Sequence, residues 1–345
     1  MRRLAITLAL LLVVLLVLPP LLSSYWIDVL TAVAIYSVVA LGLGLLMGRV
    51  GLVSLGQIAV LALGAWIAAK LDFATSIPFP VVLLLTGLIT MVLGTLVGLP
   101  ALRLSGLYLA LITLMLAGAI TVVLTATQFP NGGPGFLSHT ESSFGSAAIR
   151  RPGIATSDPA YFRYTVIVAA LMFALAWWHV RSRPGRAWAA IRQSEPAALA
   201  AGVNLTFYKL WAWALASFMT GVAGGLLASH VGKLYTIQFP TSDSITLLAV
   251  VLMGGIYSPW GAVVAGALMK LLPALLDSWG LPADLLIILF GVGVLQVLLT
   301  APAGIAGQLP QDLARLGRAI SGRVRRPPPT PQPPSPPARK GETVR

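Results

Sequence analysis

The sequence contains no cysteine, which excludes disulfides, thiolate chemistry and thiolate-bound metals. It is also poor in charge. Only 10% of its 345 residues are Asp, Glu, Lys or Arg, whereas a water-facing domain carries about 25%. The acidic residues are the scarcer kind, 10 against 23 basic ones, for a formal net charge of +13. No G-x-x-x-x-G-K-[ST] run occurs, so nucleotide hydrolysis by that phosphate loop is excluded. The three histidines, His139, His179 and His230, lie far apart in sequence, and no metal site is expected from them. The apolar stretches hold no paired carboxylates and no Ser/His/Asp cluster, so no enzyme is expected. Asp28, Asp72, Asp243, Asp277 and Asp284 all fall near the ends of those stretches. That leaves few buried relays of the kind ion-coupled transporters use.

What remains is apolar: 57% hydrophobic residues and a mean hydropathy of +0.89. The solvent of such a chain is lipid. Its basic residues cluster between apolar blocks instead of forming the stripe of a nucleic-acid binder, so they read as membrane topology and no nucleic acid is expected. A spanning helix needs about 20 mostly apolar residues. Blocks of that kind run over 4–22, 26–47, 50–69, 80–99, 104–125, 161–180, 207–231 and 281–300. The first also has the basic start of a signal peptide. Its apolar run is longer than a signal core and no clear cleavage site follows, so a retained helix is expected.

Residues 244–276 are too many for one straight span and few for two. The excess of Lys and Arg on the cytoplasmic side decides between them. With the N-terminus inside, Arg49, Arg103 and the arginines of 181–192 all face the cytoplasm. The basic tail joins them only if 244–276 breaks in two, near Gly254-Gly255 and Ser258-Pro259. The expectation is therefore an all-α polytopic membrane protein of about ten transmembrane or re-entrant helices, with both termini cytoplasmic. Residues 1–300 form the membrane domain, with a cytoplasmic loop at 181–206. Residues 301–345, basic and then proline-rich, form a disordered tail. Small-xxx-small pairs at Gly44/Gly48, Gly94/Gly98 and Gly221/Gly225 permit close helix approach, as either fixed packing or sliding surfaces. Lys270 is the one charge well inside an apolar segment.

The loop at 181–206 is the densest charged stretch outside the tail. Pro184 sits where a first helical turn tolerates it, and Ala187, Trp188, Ala189, Ala190 and Ile191 form an apolar patch. Ser194 is a helix cap, Glu195 suits the positive end of the helix dipole, and Gly202 ends the helix that begins there. Two short alanine-faced helices suit docking in a partner's groove. They equally suit an interfacial loop whose arginines fix topology and touch anionic lipid.

GRAWAAIRQSEPAALAAGVNLTFYK (185–209) resembles the cytoplasmic coupling loop of bacterial ABC-importer permeases, specifically the LivM-like branch of the branched-chain amino acid permeases. Gly185, Arg186, Ile191, Arg192, Glu195, Ala197, Ala198, Gly202 and Lys209 match that pattern. GRVGLVSLGQIAVLALGAW (48–66), NGGPGF (131–136) and GGIYSPWGAVVAGAL (254–268) resemble three further family stretches, in the same order along the chain. Three departures stand out: Asn131 stands where threonine is usual, Tyr257 replaces a glycine, and Gln193-Ser194 replaces a more acidic pair.

The resemblance implies half of a translocation pathway through a bacterial inner membrane, for branched-chain amino acids or a related small polar solute. Its partners would be a second homologous permease, two cytoplasmic ABC ATPases and an extracytoplasmic solute-binding protein. The chain itself needs no cofactor, since ATP is bound by the ATPases. Gly185, Arg186, Glu195, Ala197, Ala198 and Gly202 are expected to face the ATPase. Ser54, Gly56 and Gln57 either face the passage or satisfy freed backbone groups, and Gly254, Gly255 and Ser258 are grouped with them as pathway candidates. Asn131, Gly132, Gly133 and Gly135 form an external loop, either a docking site or plain turn chemistry. The rival from another class is an ATP-independent channel or facilitator for a small solute such as urea.

Overall fold

In the computed structural model every regular element is a helix, among the described residues. These are 14–16, 18–101, 106–126, 149, 151–232, 234–235, 238–281, 284–300 and 304–308. The helices are α1 (Leu18–Leu21), α2 (Ser24–Leu45, continued by a π-turn at Leu46–Val50), α3 (Gln57–Ala74), α4 (Phe79–Ala101) and α5 (Gly106–Ala126). After them come α6 (Asp158–Arg181), α7 (Arg183–Gln193), α8 (Glu195–Ala200), α9 (Leu205–Val231), α10 (Ser242–Gly254), α11 (Pro259–Ser278) and α12 (Asp284–Thr300). All belong to one unit, Met1–Gln308; the tail Leu309–Arg345 lies outside the described residues.

Seven helices are long and apolar enough to cross a membrane among the described residues: α2 with its π-turn, α3, α4, α5, α6, α9 and α11. This is fewer than the ten expected segments. Most of the 4–22 block lies outside the described residues. The region 244–276 does break between Gly254 and Pro259, but α10 has only 13 residues. At 1.5 Å per residue it reaches about 20 Å, short of the roughly 30 Å hydrocarbon core. The last apolar helix has 17 residues.

Local chemistry sets the ends. Ser157 is extended, and Asp158 and Pro159 follow in the first turn of α6. Asn204 accepts a hydrogen bond from the Phe207 amide at 3.1 Å and starts α9. Gly232, at φ 73°, ends it in a conformation a side chain resists.

α9 is the axis of the bundle, buried along most of its length against α2, α3 and α4. Glycine makes that contact close. A Cβ on Gly64 of α3 would lie 2.7 Å from the Gly221 carbonyl oxygen and 2.8 Å from its Cα. Gly224 meets the backbone of α3 in the same way, at Leu61 and Ala65. Backbone against backbone leaves nothing to rotate aside. The bundle is completed by α11 on α2, α6 on α2, and α10 on α11 and α12. α5 touches mainly α3 and presents Leu107, Tyr108, Met115, Val122 and Val123 outward.

Gly64→Val is expected to destabilise the protein by about 3 kcal/mol or more, the upper end of over-packing. Gly118→Val on α5, where a Cβ meets nothing within 4 Å, is expected to leave stability unchanged. Thermal unfolding in detergent compares the two, and equal melting temperatures would contradict the packing described.

Candidate functional site

Between α2 and α3 the chain leaves the helix for residues 51–56, and lipid offers no partner for the exposed backbone. Four of its amides find partners nearby. Gly51, at φ 87°, turns the chain, and the Leu52 amide donates to the Leu46 carbonyl at 3.0 Å. The Leu55 amide donates to the Thr113 hydroxyl of α5 at 2.9 Å. The Gly56 amide donates to the Ser54 hydroxyl at 3.3 Å. Gly56 then starts α3 without a side-chain cap.

This irregular segment borders a narrow cleft with an accessible volume of about 20 Å³, room for about one water molecule. Ser54, Gly56 and Gln57 form one wall, Thr90 and Gly94 of α4 another, and Thr113 of α5 with Trp213 of α9 the rest. The lining is mostly apolar, with a few hydroxyls and one amide. Gln57 is buried, and its Oε1 accepts from the Thr220 hydroxyl of α9 at 2.9 Å. Ser54 takes one freed backbone amide, whereas Gln57 bonds a side chain of α9; both border the cleft.

Gly254, Gly255 and Ser258 do not line it. They form the turn between α10 and α11, where Gly255 has φ 110° and the Ser258 amide donates to the Gly255 carbonyl at 3.3 Å. That turn packs instead on the end of α2, near Gly48 and Arg49. Asn131, Gly132, Gly133 and Gly135 lie outside the described residues. Lys270 places its ammonium 4.3 Å from the centroid of the buried Tyr36 ring, a cation–π contact.

The α7–α8 loop has an inner and an outer side. Ala187, Trp188 and Ile191 are buried, and the Trp188 indole N–H donates to the Tyr208 carbonyl of α9 at 2.8 Å. Ser194 caps α8, accepting from the Ala197 amide at 3.4 Å. Lys209 of α9 donates to Glu195 at 2.7 Å. Of the six positions expected to face outward, Arg186, Glu195, Ala197 and Gly202 are exposed. The other two turn inward instead. The Ala198 methyl is buried and lets α8 lie close to the bundle, and Gly185 abuts the Val180 carbonyl where the chain doubles back from α6.

Trp188 and Lys209 are anchors that the sequence signalled only as an apolar patch and a pattern match. Their burial against α9 needed the fold.

A model of the branched-chain amino acid transport system / permease component family matches residues 25–298. The chain belongs to this family. It is similar to the high-affinity branched-chain amino acid transport system permease protein LivM of Salmonella typhimurium, with 32% identity over 271 residues, 73% of this chain and 63% of the relative. It is 31% identical to the LivM protein of Escherichia coli over the same extents. The chain thus spans about 63% of the length of the curated relatives it matches. No solved structure matches it. All the elements that bound the cleft and the α7–α8 loop fall inside the family match.

The Glu195–Lys209 pair is asymmetric: the Lys209 side chain is 9% exposed and that of Glu195 is 47% exposed. Removing the carboxylate strands a buried ammonium, whereas removing the ammonium leaves a carboxylate that water can solvate. Glu195→Ala is therefore expected to destabilise more than Lys209→Met, by about 1 kcal/mol. Denaturant unfolding of the two variants checks the order.

Proposed function

We propose that this chain is the permease half of an ABC importer. In this reading the cleft beside Ser54 and Gln57 is part of the passage for branched-chain amino acids or a related small polar solute. Family membership and the α7–α8 loop carry the reading. The loop is a small, rigidly anchored helical surface with an alanine-rich outer side and arginines at its rim, the form that suits a partner's groove.

Arg186, Glu195, Ala197 and Gly202 face the ATPase on this reading, with Gly185 and Ala198 supporting them from within. The partners are a second homologous permease, two cytoplasmic ABC ATPases that bind the ATP, an extracytoplasmic binding protein and surrounding lipid. The location is a bacterial inner membrane, crossed by about ten transmembrane or re-entrant segments. Both termini lie in the cytoplasm, which puts Arg49, Arg103, the α7–α8 arginines and the basic tail on the side that favours them. Mechanistically, ATP binding moves the docked loop, and the helices around the cleft open it alternately to either side. The cleft offers hydroxyls, one amide and apolar walls but no charged side chain. That lining suits passage better than tight capture, which falls to the binding protein.

Co-purification and reconstitution test this. Two ATPase subunits are expected to accompany the chain, and uptake into proteoliposomes is expected to require them and ATP. Uptake by the chain alone, without ATPases, would identify a facilitator instead. Ala197 is exposed, so Ala197→Trp adds bulk outside the bundle. It is expected to leave insertion and melting temperature unchanged while lowering ATPase capture about ten-fold, the scale of one spoiled interface hot spot. Normal capture would argue against this docking surface.

A further inference from the structure

Arg192 closes α7, and three segments meet at its guanidinium. Nη1 donates to the Gly48 carbonyl at 2.7 Å. Nη2 donates to the Tyr257 hydroxyl at 2.8 Å, and the guanidinium carbon lies 4.4 Å from the centroid of the Tyr257 ring. Arg49 donates to the Tyr257 carbonyl at 3.2 Å. Gly48 belongs to the last turn of α2, where helix carbonyls lack intrahelical partners and carry partial negative charge. A guanidinium with its donors in a fixed fork is well suited to that end.

The surfaces that Arg192 joins are themselves tight. A Cβ on Gly48 would run into the Ile256 carbonyl, so the end of α2 and the α10–α11 turn touch backbone to backbone. Gly254 and Gly261 close on one another across that turn. Gly51, which opens the 51–56 segment, lies beside Arg192: its Cβ would fall 3.9 Å from the Arg192 Cγ. That segment runs straight on to Ser54, Gly56 and Gln57 in the cleft wall. One turn before Arg192, Trp188 holds α7 to α9, whose Trp213 also borders the cleft.

We propose that Arg192 is the positioning residue that links the α7–α8 loop to the cleft. It does so by clamping α7 to the end of α2 and to the α10–α11 turn, with Tyr257 as its receiver. The proposal rests on the reading of that loop as the ATPase-docking surface. Displacement of α7 is passed on because the hydrogen bonds of the clamp tolerate only a few tenths of an ångström. Arg192 contacts no solute; it acts through Gly48 and Tyr257. Tyr257 supplies both a hydroxyl and a ring face to the guanidinium.

The test uses the complex that co-purifies with the unaltered chain, reconstituted in proteoliposomes, and reads solute uptake per ATP hydrolysed. Arg192→Gln is expected to retain assembly and ATP hydrolysis while uptake per ATP falls about ten-fold, the scale of one charge-assisted hydrogen bond. Arg192→Lys keeps the charge without the fork and is expected to fall between. Tyr257→Phe loses one hydroxyl and is expected to lower the ratio about two- to five-fold. The double variant Arg192→Gln/Tyr257→Phe is expected to be no worse than Arg192→Gln, because both break one linkage. An unchanged ratio in Arg192→Gln, or additive losses in the double variant, would overturn the proposal. Should Arg192→Gln fail to assemble, Tyr257→Phe decides alone, and an unchanged ratio there overturns it. If the unaltered complex takes up solute without hydrolysing ATP, the docking reading fails and the clamp falls with it. Coupled uptake in the unaltered complex with normal ratios in every variant sinks the clamp only.

Discussion

A backbone amide or carbonyl in hydrocarbon has no water to turn to, and the shape of this protein follows from that. Where the chain stays helical, the requirement is met along the helix. Where it leaves the helix inside the bundle, at 51–56 and at 255–258, something else must supply partners. Thr113 and Ser54 take the amides of the first break. Arg49 and Arg192 take carbonyls at the second break and at the end of α2. At the first break the partners Ser54 and Thr113 are buried, whereas at the second Arg192 and Tyr257 are exposed and the arginines fix the geometry of the turn. A chain that interrupts its helices must bring polar side chains to those points, and those side chains are then in place to do more than hold the backbone.

The same constraint explains the use of glycine. With lipid as apolar as leucine, helices gain little from hydrophobic sorting and more from close approach. Gly64 on Gly221 and Gly224 on Leu61 hold α3 to α9 through backbone surfaces with no side chain between them. Such a contact is stiff. It favours movement of α3 and α9 together, and leaves relative motion to looser interfaces joined by side chains, such as α5 against α3. Of the two uses that small-residue pairs suggest, fixed packing is the one these contacts support.

Much of this was legible in the sequence. Apolar blocks of about 20 residues gave the long helices, since length and composition alone decide what crosses a bilayer. The cap at Ser194 and the glycine at 202 gave α8 nearly to the residue, because capping is local chemistry. The break after Gly254 was visible because its glycines and proline stand together. Less legible was anything set by which helix lies beside which. Ala197 and Ala198 are adjacent in the same alanine run, yet one faces out and the other is buried. Gly254 and Ser54 sit in similar glycine-rich patterns, yet only Ser54 reaches the cleft. Residues 127–148, with the four external-loop positions, lie outside the described structure.

Arg192 shows how topology and mechanism share a residue. Read along the chain, it is one arginine of a basic cluster, and its charge places the loop on one side of the membrane. In three dimensions its charge is directed at the carbonyl end of α2, and its planar fork reaches a second segment as well. Lysine would serve the first purpose equally and the second poorly, since a point charge on a flexible stem cannot hold two acceptors in fixed directions. Tyr257 argues the same from the other side. Glycine at that place would keep the turn supple and leave the fork one acceptor short. A tyrosine stiffens the turn and engages the guanidinium with both ring and hydroxyl. In this chain the α10–α11 turn is thus joined to α7 by side-chain contact, while the Gly48 carbonyl joins α7 to the end of α2.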